Sequence, residues 1–277
     1  MINPNTIKAL ALDLDGTLLA PEAVLTERAI RAVDNCMKRG LKIIIATGRA
    51  LAATEFFRAA LGVEGPMVYF NGALVSNMPK NEVLSTTYLD LKAAEFCLDL
   101  SRERGVYCQM FFSGQGSRIN LMAEREEPGR AMYYDHTGLL AELVDLKDLL
   151  RQPGQINCFK TMFLDKPEIL DSLRPELDKH LGDSVYIART YRTFLEIMDA
   201  KVSKGQGLKV AMEYYSLKKE EVIAFGDEEN DIPLLAAAGF SVAPSNAQDS
   251  VKAKADLVVG SNAEDGVPAF LEEFFGL

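Results

Sequence analysis

The stretch ALALDLDGTLL, residues 9–19, opens as an apolar strand and then meets two carboxylates, Asp13 and Asp15, one residue apart. A near-continuous apolar run suits a strand covered on both faces, as in a parallel sheet sandwiched by helices. A carboxylate left in a dry interior without compensation is strongly disfavoured. Either this strand is exposed or its two acids have an important partner.

Comparable runs recur along the chain: LKIIIATGR (41–49), PMVYFNGA (66–73), EVIAFGDEEND (221–231), GFSVAP (239–244) and ADLVVGS (255–261). Helical patterns lie between them. Residues 26–40 carry Thr26 at the N-cap, Gly40 at the stop, and Ala29, Ile30, Val33, Cys36 and Met37 at helical spacing. Residues 50–62, 204–216 and 230–239 complete the set. Strands alternating with helices predict an α/β fold, a doubly wound, mostly parallel sheet.

The middle of the chain differs. Helix-like stretches at 90–104 and 167–180 alternate with the strand-like VYCQMFF (106–112), RINLM (118–122), INCFKTMFLD (156–165) and SVYIART (184–190). Polar residues at alternate positions predict a sheet with one solvated face. This block reads as an inserted α+β domain over 86–189, with a core made of 1–85 and 190–277. Residues 124–138 read as a helix or a loop.

The chain has 277 residues and a formal net charge of −10, with a sequence pI of about 4.9. No basic stripe is present, which argues against a nucleic-acid partner. No run reaches the roughly 18 apolar residues that a membrane span needs, and the first residues lack signal-peptide character. The reading is cytoplasmic, with no obligate protein partner indicated. Cys36, Cys97, Cys108 and Cys158 form no CxxC pair and read as buried, reduced thiols. His136 and His180 read as surface or packing residues.

In open α/β sheets, ligands sit at the carboxyl ends of the strands. The polar motifs fall at such ends: Asp13 and Asp15, Thr47-Gly48-Arg49, Asn71-Gly72, and Gly226-Asp227 with Asn230-Asp231. Lys204 precedes a helix. Clustered acids with one lysine call for a hard cation, and Mg²⁺ takes carboxylates, waters and a substrate phosphate. Beside Mg²⁺, Asp13 could attack phosphorus to give an aspartyl phosphate. In an extended chain Asp15 would share its side and protonate the leaving oxygen. Thr47 and Lys204 would hold the phosphoryl oxygens. Each motif alone is weak: DxD is commonly a surface loop, TGR a turn with a surface Arg, and Lys204 a solvated helix-start residue. Their combination, in order and at strand ends, is what carries weight.

The combination resembles the haloacid dehalogenase superfamily of phosphohydrolases. DLDGT (13–17), ATGR (46–49), VSKG (202–205) and GDEEND (226–231) match its four motifs. The insert, FNGA (70–73) and NAEDGVPAFLEEF (262–274) resemble the Cof-type subfamily with a C2B cap, which here would be 86–189. The resemblance implies that Asp13 is nucleophile and Mg²⁺ ligand, and that Asp15 is general acid/base with its main-chain carbonyl on the metal. It implies Asp227 as a Mg²⁺ ligand and Asp231 as support for the metal shell. It puts Thr47, Lys204 and Asn230 on phosphate, with Leu14 and Gly48 in the same binding set and Asn71 near the mouth. Gly207 stands where the family often has Ala, which would loosen the helix start slightly.

The expected activity is Mg²⁺-dependent hydrolysis of a small phosphorylated metabolite, with sugar phosphates the default. Phosphomutase or phosphotransferase chemistry and a non-catalytic phospho-switch are the alternatives. Leaving-group contacts are expected in 106–136 and 155–190, with Tyr107, Gln109, Arg118 and Tyr191 as candidates.

Overall fold

The computed structural model of the chain describes residues 2–114, 118–152 and 156–277. The chain forms two compact units. One takes in Met1–Arg49, Thr54–Ser85 and Ser203–Leu277, the other Ala50–Ala53 and Thr86–Val202.

The first unit is built on a five-stranded parallel sheet in the order Leu257–Val259, Phe240–Pro244, Val222–Phe225, Ala9–Leu12, Lys42–Ile45. Every residue of Ala9–Leu12 is buried, as its unbroken apolar run predicts. Leu12 lies in register with both Phe225 and Ile45. Three strands therefore end level, and the residues that follow them emerge at one edge of the sheet. The Gly65–Tyr69 strand joins beside Lys42–Ile45 through a bridge between Ala46 and Val68. It also opens a three-stranded sheet with Leu74–Met78 and Glu82–Thr86.

Helix starts follow the capping residues of the sequence. The Thr26 hydroxyl accepts from the Ala29 N–H at 3.0 Å at the head of Glu27–Lys38. Ser203 accepts from the Gln206 N–H at 3.2 Å at the head of Lys204–Tyr215. Gly207 lies within that helix. A Cβ there would come 2.3 Å from Val68 Cγ1. The glycine thus lets the helix settle on the Gly65–Tyr69 strand, a packing role that helix propensity alone does not reveal.

The second unit holds a six-stranded sheet in the order Val185–Tyr191, Phe194–Asp199, Cys158–Leu164, Tyr107–Ser113, Ile119–Ala123, Glu142–Leu143. All neighbours are antiparallel except the last pair. One face packs on Leu91–Arg104 and Pro167–Leu181. The unit runs to Val202, past residue 189, because Phe194–Asp199 pairs with two strands of this sheet.

Over the central strands the expected solvated face is covered. All seven residues of Cys158–Leu164 are buried. Residues 124–138 supply a helix, Pro128–Thr137, that lies over this face. Its Tyr133 ring sits 5.9 Å from Phe111 and 5.7 Å from Phe194, and Gly129 abuts the Tyr107 ring. Several of the alternating polar residues pair within the unit. Lys160 Nζ meets Glu196 Oε1 at 2.5 Å, and the Tyr107 hydroxyl donates to Gln109 Oε1 at 3.1 Å.

All four cysteines are buried and free of disulfides. His136 packs against Tyr191 and Phe194, and His180 stacks on Phe96 at 4.7 Å between ring centres. Among the described residues, no helix is long and apolar enough to cross a membrane.

Candidate active site

The level ends of the central strands bring the acidic motifs together. The Asp13 N–H still donates to Phe225 O at 3.2 Å, extending the ladder by one residue. Asp227 follows the neighbouring strand by two residues. Asp231 closes the first turn after it, where its Oδ2 accepts from the N–H groups of Asp227 and Glu228, both at 3.1 Å. Carboxylate oxygens of Asp13, Asp227 and Asp231 all lie within 4.8 Å of one another, and all three residues are buried.

Lys204 enters from the helix it begins. Its Nζ lies 2.6 Å from Asp13 Oδ1 and 2.6 Å from Asp231 Oδ1. The Thr17 hydroxyl donates to Asp227 Oδ1 at 2.6 Å. Gly16, at φ +78°, turns the chain so tightly that a Cβ would fall 2.1 Å from Asp227 Oδ2.

Three carboxylates thus face one ammonium. Burial, reinforced by Asp231, pushes Asp13 well above the usual carboxylate range despite Lys204. Burial and Asp231 likewise push Asp227 up to about 7, with the Thr17 hydrogen bond pulling the other way. Burial alone would lower Lys204, but Asp13 and Asp231 outweigh it and hold the amine above its ordinary value. The cluster is short of positive charge, and its donors are all hard oxygens. Both properties fit a hard divalent cation such as Mg²⁺.

Asp15 has a partner of its own. The strand ends at Leu12 and the chain turns at Leu14, with Asp15 still near enough to Asp13 for its charge to help raise the Asp13 carboxyl. The Asp15 carboxylate is outside the buried group and is taken in a two-point grip by Arg49. Nε meets Oδ2 and Nη2 meets Oδ1, each at 2.6 Å. Leu14 is buried, and its carbonyl accepts from the Thr17 and Leu19 N–H groups, which fixes the loop.

Thr47 and Gly48 follow the Lys42–Ile45 strand. Thr47 is buried, and its Oγ1 accepts from the Arg49 N–H at 3.1 Å, so its own O–H remains a donor. Phe70 and Asn71 both take positive φ, 49° and 55°, ahead of Gly72 at 103°. Such a run is costly for non-glycine residues and needs its surroundings to hold it. A Cβ at Gly72 would lie 2.2 Å from Ser203 O. The turn presses Asn71 against Gly48 and Asn230, whose Nδ2 donates to Asn71 Oδ1 at 2.8 Å. Asn230 Oδ1 is buried with no partner among the described residues.

Lys204 meets the acidic cluster, and Thr47 and Asn230 stand on the loops at the same sheet edge, polar groups of a kind that can hold phosphoryl oxygens. A scan against family models matches residues 10–271 to the haloacid dehalogenase-like hydrolases. The chain belongs to the haloacid dehalogenase-like hydrolase family.

Relatives within it span nearly the whole length of this haloacid dehalogenase-like chain. It is 28% identical to 5-amino-6-(5-phospho-D-ribitylamino)uracil phosphatase YitU of Bacillus subtilis, covering 97% of each. It is 29% identical to the pyridoxal phosphate phosphatase YbhA of Escherichia coli, covering 96% of this chain and 98% of that one. Among solved structures, TM0651 of Thermotoga maritima superposes with a TM-score of 0.81 at 28% identity, covering 96% and 97% of the two chains. The subclass IIB sugar phosphatase BT4131 superposes with a TM-score of 0.80 at 25% identity, covering 96% and 98%.

Arg49, expected on the surface, instead has a largely buried side chain bonded to Asp15, and Thr17, to which its motif assigns no role, bonds Asp227. Tyr107 and Gln109 are buried and bonded to each other, and Tyr191 is exposed beside His136. Residues 115–117 and 155, within the ranges expected to meet a leaving group, lie outside the described residues.

Proposed function

We propose that this hydrolase is a Mg²⁺-dependent phosphatase that cleaves small phosphorylated metabolites, sugar phosphates among them, through an aspartyl phosphate on Asp13. The observation that carries the reading is the buried Asp13 carboxylate, held 2.6 Å from Lys204 and beside Asp227 and Asp231. The activities for which the relatives are named support it. Their substrates share a phosphoryl group and range from a ribitylamino-uracil to pyridoxal and sugars, which suits a shared reaction centre and variable recognition of the leaving group.

In this reading an Asp13 oxygen attacks phosphorus as the bond to the leaving oxygen breaks. Asp15 gives that oxygen a proton, releasing an alcohol. Water then attacks the phosphorus of the aspartyl phosphate while Asp15 takes its proton, returning Asp13 and releasing inorganic phosphate. Lys204, Thr47 and Asn230 hold the phosphoryl oxygens, with Leu14 and Gly48 shaping the same pocket through the backbone and Asn71 fixing Asn230. Asp13, Asp227 and the Asp15 carbonyl would hold Mg²⁺, with Asp231 in support, and the ion supplies positive charge against the phosphoryl oxygens.

The test is phosphate release from a panel of metabolite phosphates with Mg²⁺, with and without an acceptor sugar. Wild-type protein should release inorganic phosphate, and Asp13→Asn should release none and form no phosphoenzyme. Full activity in Asp13→Asn would remove Asp13 as nucleophile. Transfer to the sugar in place of water would make the protein a phosphotransferase.

A further inference from the structure

We propose that Arg49 is the positioning residue for Asp15: its guanidinium fork sets the plane and direction of the carboxylate that moves the proton. The inference rests on the phosphatase reading and adds to it a residue to which that reading gives no task.

Asp15 needs such a device. Its side chain is 44% exposed, and it stands on a turn rather than in the strand. A short exposed carboxylate would otherwise rotate among several orientations. A general acid must reach the leaving oxygen at about 2.6–3.2 Å, and small misplacements are costly. Two parallel bonds of 2.6 Å from Nε and Nη2 fix both oxygens at once. One ammonium cannot do this, because a point charge sets a distance but not a plane.

Arg49 is itself held. Its side chain is only 9% exposed, and its guanidinium carbon lies 5.2 Å from the centre of the Phe57 ring. Its N–H donates to Thr47 Oγ1 at 3.1 Å, and its carbonyl accepts from the Phe70 N–H at 3.1 Å. The arginine therefore ties Asp15 to the same loops that carry Thr47 and Asn71.

The experiment compares kcat/KM, which reports the steps through leaving-group departure, for a sugar phosphate and for p-nitrophenyl phosphate. The proteins are wild type, Arg49→Lys, Arg49→Ala, Asp15→Asn and the Arg49→Ala/Asp15→Asn double variant. A poor alkoxide leaving group needs the proton, whereas nitrophenolate hardly does. Both Arg49 variants should lose roughly 10–100-fold on the sugar phosphate and less than about 3-fold on the aryl ester. The loss from Arg49→Ala should vanish once Asp15 is Asn, since both changes remove one function. Full rescue by lysine would overturn the proposal, as would equal losses on both substrates or an undiminished loss in the Asp15→Asn background. The last two results would assign Arg49 to the phosphoryl group itself. A wild-type protein inactive on every phosphate tried would instead overturn the phosphatase reading, and the role of Arg49 with it.

Discussion

The ammonium of Lys204 lies 2.6 Å from Oδ1 of Asp13, and both side chains are buried although 191 residues separate them. Asp231 accepts from the same ammonium. One cation thus serves two acids in a place where water screens neither, so the site's charge balance depends on Lys204.

Replacing Lys204 with Met should therefore damage both fold and activity. Removing one partner of a buried pair typically costs about 3–5 kcal/mol. Urea denaturation at neutral pH should show a loss of that order, and phosphate release should fall by at least about 100-fold. A Lys204→Met variant of wild-type stability would mean that the three acids are compensated by something other than this lysine.

The acids also predict how stability depends on pH. Burial and Asp231 push Asp227 up to about 7 in the folded chain from 3.8, its ordinary value, and shift Asp13 in the same direction. Between those values the folded protein keeps a proton that the unfolded chain has released. Stability from this source is complete below about pH 4 and is lost as pH rises through about 7. In chelator, the thermal midpoint should fall from about pH 5 to about pH 7.5. Millimolar Mg²⁺ should flatten that slope by binding the ionised form, and Asp227→Asn should respond to Mg²⁺ much less. A midpoint indifferent to both pH and Mg²⁺ would contradict the electrostatic account of the cluster.

In the second unit, Lys160 and Glu196 form a buried pair 2.5 Å apart, with Lys160 Nζ 4.8 Å from the centre of the Phe111 ring. Burial lowers Lys160 from its ordinary value, and Glu196 works against that. Lys160→Met alone should destabilise the protein by roughly 3 kcal/mol, because Glu196 is left buried and without its ammonium. Lys160→Met with Glu196→Leu should recover most of that loss in the same denaturation measurement. A double variant as unstable as the single one would show that the pair does more than neutralise itself.

Gly207→Ala offers a separate check on packing. Helix propensity favours alanine by about 1 kcal/mol. The added Cβ would nevertheless sit 2.3 Å from Val68 Cγ1. Overpacking of this kind typically costs about 1–3 kcal/mol, so the variant should melt at a lower temperature than wild type. A higher melting temperature would mean that the strand yields easily.

Local pattern carried a large part of this protein. Unbroken apolar runs such as ALAL and III specify strands buried on both faces, and Thr26 and Ser203 specify where helices begin, because these signals act over a few residues. Motif order at strand ends was enough to gather Asp13, Asp227, Asp231 and Lys204 as candidates. Local pattern could not say which side chain would meet which. Leu12 ends its strand in register with Ile45 and Phe225, and the turn after it brings Asp15 into the grip of Arg49. The polar alternation of the middle strands looked solvated, yet the Pro128–Thr137 helix covers it and Lys160 finds Glu196. Periodicity reports that a residue is polar. Whether water or a distant partner satisfies it is decided only when the tertiary fold fixes what lies opposite.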